Sequence, residues 1–223
     1  MKLGVIAALS SELGPTLRAL QLPSRTVDRL RLHESPSLVF AVGGIGARAA
    51  AAAALLVADH SVCSALVSVG FCGALTDDLQ TADLLVGGTT AHPATAELLA
   101  LAREAAPKGR SGTLITIPKV MVDAGEKRAL AAKSGAVAVD MEAEAVAVAA
   151  RARGLGFLSV KVVIDTPGEP LASSYAGCWT VLKDILFHPG TVMQMVYDSK
   201  RVKVAAERLK EFFVALKEKL PPT

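Results

Sequence analysis

The sequence predicts an α/β protein, with a central mixed, largely parallel sheet in a three-layer α/β/α arrangement. Three observations carry that expectation. Largely apolar runs of strand length recur at Lys2–Ala8, Ser37–Val42, Ala65–Val69 and Phe157–Ile164, and runs without polar alternation suit strands covered on both faces. Between them lie alanine-rich stretches such as 47–57 and 141–154, a composition that favours helix. The two kinds of segment alternate along most of the chain, the order that builds a parallel sheet flanked by helices.

Length and composition narrow the class further. A chain of 223 residues can bury a substantial core, and with no interior linker it reads as one domain over 1–223. Hydrophobic residues make up 52% and charged residues 20%, which excludes disordered and fibrous classes. The net charge of +3 resides in 198–219, where apolar Val202, Ala205, Leu209, Phe212, Leu216 and Leu220 recur at steps of three and four. That is an amphipathic helix with a solvated face. Its charges of both signs are mixed and aromatics do not interleave with them, so neither nucleic acid nor a membrane surface is an expected partner. Cys63, Cys72 and Cys178 show no paired spacing, which suits a reducing cytoplasm, and His33, His60, His92 and His188 match no zinc spacing. The opening apolar run is short and Glu12 interrupts it, unlike a signal peptide. No stretch is long and apolar enough to span a bilayer.

Taken in order, Lys2–Ala8 is a buried strand, followed by a helix from about Glu12 with Ser10 or Ser11 as N-cap. Glu12 thus sits at a strand-to-helix turn, where a first-turn carboxylate also suits the helix dipole. Thr26–His33 and Ser37–Val42 read as two strands, the second running into Gly43-Gly44-Ile45-Gly46 and the helix of 47–57. Gly44, Gly46 and Ala49 fit the dinucleotide pattern G-x-G-x-x-A. The following strand, however, ends in Gly70 rather than an acid that would hold an adenine ribose. A tight turn near a ligand oxygen is the better use of these glycines. The glycines of Gly70–Ala74 mark a loop at a strand's carboxyl end. A strand at Asp83–Val86, a helix from Pro93 through Ala105, a strand at Ser111–Ile117 and a helix at 124–133 follow. Beyond Pro167 lies a less legible stretch holding Tyr175, Trp179 and Phe187, with a helical part at 179–186.

The chain is organised around 136–165: a strand ending at Asp140-Met141-Glu142, a helix, and a strand ending at Asp165. Charges rarely lie buried unpaired, and ligands of open parallel sheets bind beyond the strands' carboxyl ends. Glu142 and Asp165 both point there.

These acids and glycine loops, in their order, resemble the purine nucleoside phosphorylase and uridine phosphorylase superfamily, on the branch of methylthioadenosine/S-adenosylhomocysteine nucleosidases and hopanoid-associated phosphorylases. The matching segments are MKLGVIAALSSEL, GGIG, VGFCGAL followed by DLLVG, VDMEAEA and VKVVIDTP, from Met1 to about Pro167. The segment LFHPGTVMQMVYDSKRVKVAAERL is more similar to the hopanoid-associated group. The resemblance implies a nucleoside phosphorylase-like fold, no metal or cofactor, a homodimer, and cleavage of the N-ribosyl bond of a purine nucleoside, with a 5′ substituent. It implies Asp165 as the acid that protonates the base, Glu142 and Met141 as the grip on the ribose, and Glu12 as the base that activates water. Phe71, Gly73 and Val120 would line the substrate, and Gly44, Gly46 and Arg48 the nucleophile side.

Departures from the family pattern shape the expectation. Phe71 stands where phosphorylases carry a small hydroxyl residue for phosphate, and Ser68 where some carry arginine, so water is favoured over phosphate as nucleophile. Arg48 is the residue that favours the phosphorylase alternative. Ile164 and Val120 replace residues that nucleosidases use around adenine and motivate a second alternative, a non-catalytic nucleoside-binding protein. The segment between Thr90 and Pro93 is shorter than its nucleosidase counterpart, which implies a wider or more open pocket for the 5′ group.

Overall fold

The computed structural model describes residues 1–169 and 200–220. Among these residues ten strands, numbered β1 to β10 in chain order, form one sheet in the order β2-β3-β4-β1-β5-β10-β6-β7, with β9 pairing β5 and β8. Its centre is parallel: β1 (Leu3–Ala7) lies between β4 (Leu38–Val42) and β5 (Ala65–Ala74), and β10 (Gly156–Asp165) follows β5. Antiparallel pairs flank it, β2 (Ser24–Val27) with β3 (Leu30–Glu34) and β6 (Leu84–Gly87) with β10.

Side-chain alternation splits the core in two. Leu3, Val5, Val67, Val69, Val160 and Val162 face one way, towards α1 (Ser10–Leu20), α3 (Ala96–Ala105) and α6 (Lys200–Lys219). Ile6, Val39, Ala41 and Leu66 face the other way, towards α2 (Ala47–His60) and α5 (Ala143–Ala152). The alanines of α2 and α5 let these helices pack closely on each other and on the sheet. The expected amphipathic helix is α6, and its buried Phe213 meets Phe40 of β4 edge-on with ring centres 5.2 Å apart.

Several expected boundaries shift, each for a visible reason. Thr26–His33 is not one strand but parts of the hairpin β2–β3, turned at Asp28 and Arg29, both with positive φ. Instead of ending at Gly70, β5 continues to Ala74 because β10 and β9 both pair with its second half. Ser111–Ile117 divides at Gly112 into β7 (Arg110–Ser111), on β6, and β8 (Leu114–Thr116), on β9 (Ala138–Asp140). Neither Ser10 nor Ser11 caps α1, which starts after Leu9; the Glu12 carboxylate accepts from the Leu9 N–H instead. The helical reading at 179–186 lies outside the described residues, as do Cys178 and His188. Among the described residues, no helix is long and apolar enough to cross a membrane.

Replacing Phe213 with Ala removes the ring that joins α6 to β4. The expected cost is about 3–5 kcal/mol, a fall in Tm of about 10 °C. Thermal unfolding followed by circular dichroism checks this, and a fall below about 3 °C would contradict the packing role.

Candidate active site

The site is built on a charge inside the sheet. Lys161, in the middle of β10 opposite Gly70 of β5, is 1% exposed. Its ammonium lies 2.8 Å from Asp140 Oδ2, at the end of β9. Asp140 is fully engaged: Oδ2 also accepts from the Ala143 N–H at 2.9 Å, starting α5, and Oδ1 accepts from the Thr116 hydroxyl at 2.7 Å. The residue that follows this anchored strand end is therefore fixed in place. Glu142, at the N-cap of α5, aims at the glycine turn, and its Oε1 accepts from the Gly46 N–H at 2.8 Å.

Glu12 also acts on the Lys161 charge. Its Oε2 accepts from the Ala8 and Leu9 N–H groups at 3.0 and 2.9 Å, and its Oε1 from the Phe71 N–H at 3.1 Å. Gly70 makes room for it: at φ +148°, a Cβ there would stand 2.4 Å from Glu12 Oε1. Burial pushes the Glu12 carboxyl up to about 7, with Lys161 opposing and Glu142 adding to the rise. Burial likewise raises Glu142 against the pull of Lys161. For Lys161, burial acts downwards, but Asp140, Glu142 and Glu12 outweigh it and hold the ammonium charged.

Asp165 ends β10, while Ile164 packs into the core. A register shift between Val163 and Asp165 sets it against Gly73, where a Cβ would stand 2.9 Å from Asp165 Oδ1. Behind it lies Lys127 of α4 (Ala124–Ser134), wholly buried and ion-paired with its carboxylate. Burial raises the Asp165 carboxyl, and Lys127, then Arg201 of α6, pull it back down. Buried Cys72 feels Lys161, Asp140, Asp165 and Lys127 together, which ties the two ends of the site to one neighbourhood.

Of the residues expected at the site, Glu12 and Glu142 both act on the Lys161 charge, Gly46 donates to Glu142, and half-buried Phe71 contributes its N–H to Glu12. Met141 stands half-buried between Asp140 and Glu142, and Gly44 turns the loop at φ +105°. Arg48 is exposed on the first turn of α2, and Val120 is 41% exposed in the segment before α4. The Ser68 hydroxyl is buried without a partner among the described residues. Lys161, Asp140 and Lys127 were not singled out as site residues from sequence. The available signal was a lysine inside an otherwise apolar strand, a position that requires a buried partner.

The fold is one that solved nucleosidase structures share. Residues 87–177 match the family model of the Phosphorylase superfamily. The futalosine hydrolase of Helicobacter pylori strain 26695 superposes with a TM-score of 0.78 at 17% identity, covering 99% of this chain and 98% of that one. The Campylobacter jejuni 5′-methylthioadenosine/S-adenosyl homocysteine nucleosidase (MTAN) gives a TM-score of 0.76 at 20% identity, covering 99% and 100%. A mutant of the Helicobacter pylori MTAN with 5′-methylthioadenosine in its active site gives 0.77 at 16%, covering 98% and 99%. A search of curated protein sequences finds no match. The resemblance read from the sequence is thus met twice: by the superfamily match over 87–177, and by the fold of the whole chain.

Gly70→Ala places a methyl group on the Glu12 carboxylate. We expect a loss of about 1–3 kcal/mol in stability, reduced by at least about 1 kcal/mol in a Glu12→Ala background. Equal losses in both backgrounds, measured by denaturant unfolding, would contradict the steric account.

Proposed function

We propose that this chain is a nucleosidase that uses water to cleave the N-ribosyl bond of a purine nucleoside bearing a 5′ substituent. The observation that carries the reading is that three acids, Glu12, Glu142 and Asp165, gather at this sheet, the first two acting on the charge of Lys161 of β10 and the third ending that strand. Bond cleavage passes through an oxocarbenium-like sugar, and a pocket rich in carboxylates favours that positive charge. Glu142 accepts hydrogen bonds from the ribose hydroxyls, with Met141 packed against the sugar. Glu12 takes a proton from water as its oxygen bonds to C1′. The C1′–N9 bond breaks, its electron pair stays with the base, and Asp165 protonates the ring nitrogen.

Water is preferred to phosphate on electrostatic grounds. Glu12, Asp140 and Glu142 outnumber the single lysine they act on, and a phosphate dianion entering there would meet like charge. The Gly46 N–H is engaged by Glu142 and Arg48 points to solvent, so neither offers itself to an anion as arranged. The 5′-substituted class is supported by the fold shared with the MTAN that holds 5′-methylthioadenosine. Phe71, Gly73 and Val120 remain the proposed base-side lining. We further propose one domain, a cytoplasmic location with Cys63 and Cys72 as free thiols, and a homodimer.

The test is release of base from adenosine, inosine, methylthioadenosine and a 5′-alkyl nucleoside, with and without phosphate. Release without phosphate is expected; strict phosphate dependence would make the enzyme a phosphorylase, and no release from any substrate would overturn the reading. Asp165→Asn and Glu12→Gln should each lower kcat by at least about 100-fold. Glu12 works only when ionised, so kcat/KM should fall as pH drops below about 7. A rate that stays flat from pH 8 to pH 5 would contradict its role as base.

A further inference from the structure

Asp165 has to deliver a proton, yet its carboxylate is ion-paired with an ammonium that has no access to solvent: Lys127 is 0% exposed and the Asp165 side chain 4%. In such a pair the protons belong to both groups together. Among the described residues, the other charged or titratable groups acting on it are Arg201 from α6, the Cys72 thiol from β5 and, beyond that thiol, Lys161 and Asp140. On α4 itself, Arg128 is turned outward onto Asp77, at 2.9 Å, and Asp123 caps the helix by accepting from the Glu126 N–H. None of these stands between Lys127 and Asp165 in the arrangement described.

We infer that Lys127 is a positioning residue that supplies, through Asp165, the proton that the leaving base receives; this rests on the nucleosidase reading above. Lys127 Nζ gives a proton to the Asp165 carboxylate. The carboxyl passes a proton to the base's N7 as C1′–N9 breaks, leaving a neutral amine beside a carboxylate. Once the base has left, a proton from solvent returns to the amine by way of the Asp165 carboxylate. Atoms and charge balance without a further reactant.

The pH profile of kcat/KM in Lys127→Met and Lys127→Arg decides between this and a merely structural lysine, because the two accounts predict opposite signs. If Asp165 acts alone, removing the neighbouring positive charge raises its pKa and moves the basic limb of the Met variant to higher pH. If Lys127 supplies the proton, the Met variant keeps only the carboxyl's own proton. Its basic limb then moves to lower pH, by about one unit or more, with activity approaching wild type in acid. Arginine keeps the charge but does not release its proton, so Lys127→Arg should fall at least about tenfold below wild type at pH 8. A Met limb moved upward, or an Arg variant matching wild type, overturns the inference. A separate readout, the ¹³C titration of the Asp165 carboxyl assigned with Asp165→Asn, does not need turnover. Asp165 should stay ionised to lower pH in wild type than in Lys127→Met. Identical titrations would remove the pair, and with it this inference, even where base release stands. Absence of base release from wild type would instead sink the nucleosidase reading while leaving the titration result intact.

Discussion

A lysine ammonium in the interior of a sheet has to be answered by negative charge or the fold loses several kcal/mol. Lys161 is that group, and much of the site geometry follows from answering it. Asp140 supplies the direct partner and is itself pinned by Thr116 and by the first N–H of α5. Glu142 is carried to its place by that helix start, and Glu12 is admitted by the missing side chain of Gly70. The same environment sets the chemistry, since burial raises the Glu12 carboxyl to about 7 while Lys161 keeps it from rising further. A carboxyl so placed changes charge close to neutral pH, where a general base is most useful.

The second pair, Lys127 with Asp165, solves the same problem at the end of the strand. There a helix from outside the sheet, rather than a neighbouring strand, brings the cation. Because α4 hangs on a cap at Asp123 and packs through Leu130 and Ala131 against the small core of Leu75, Ala136 and Val139, its position is fixed by local contacts. Thus Asp165 rests on a different set of contacts from Glu12 and Glu142.

Much of this was readable beforehand. Continuous apolar runs located the central strands, and the acids closing such runs marked Glu142 and Asp165, because a charge at the end of a buried strand has few other reasons to be there. The superfamily resemblance added Glu12. What escaped reading depended on contacts distant in sequence. Gly70 looked like the end of a strand because its pairing with Lys161 of β10 cannot be seen from its neighbours. The hairpin at Asp28-Arg29 lacks the Asn-Gly or Asp-Gly signature that usually announces such turns. Lys127 sits in a helix whose composition gives no sign of a buried face, and its partner lies far along the chain. Tyr175, Trp179 and Phe187 fall outside the described residues, so the expectation placed on them has no structural counterpart.

The central claim is that acids brought from α1, the start of α5 and the end of β10 serve one nucleoside. A crystal structure with a purine C-nucleoside, whose carbon–carbon glycosidic bond resists cleavage, tests it most directly. The account predicts ribose hydroxyls on Glu142, a water held by Glu12 beneath C1′, and the base ring within hydrogen-bonding distance of Asp165. A ligand bound elsewhere, or one that leaves either Glu12 or Asp165 without access to the sugar–base bond, would contradict it.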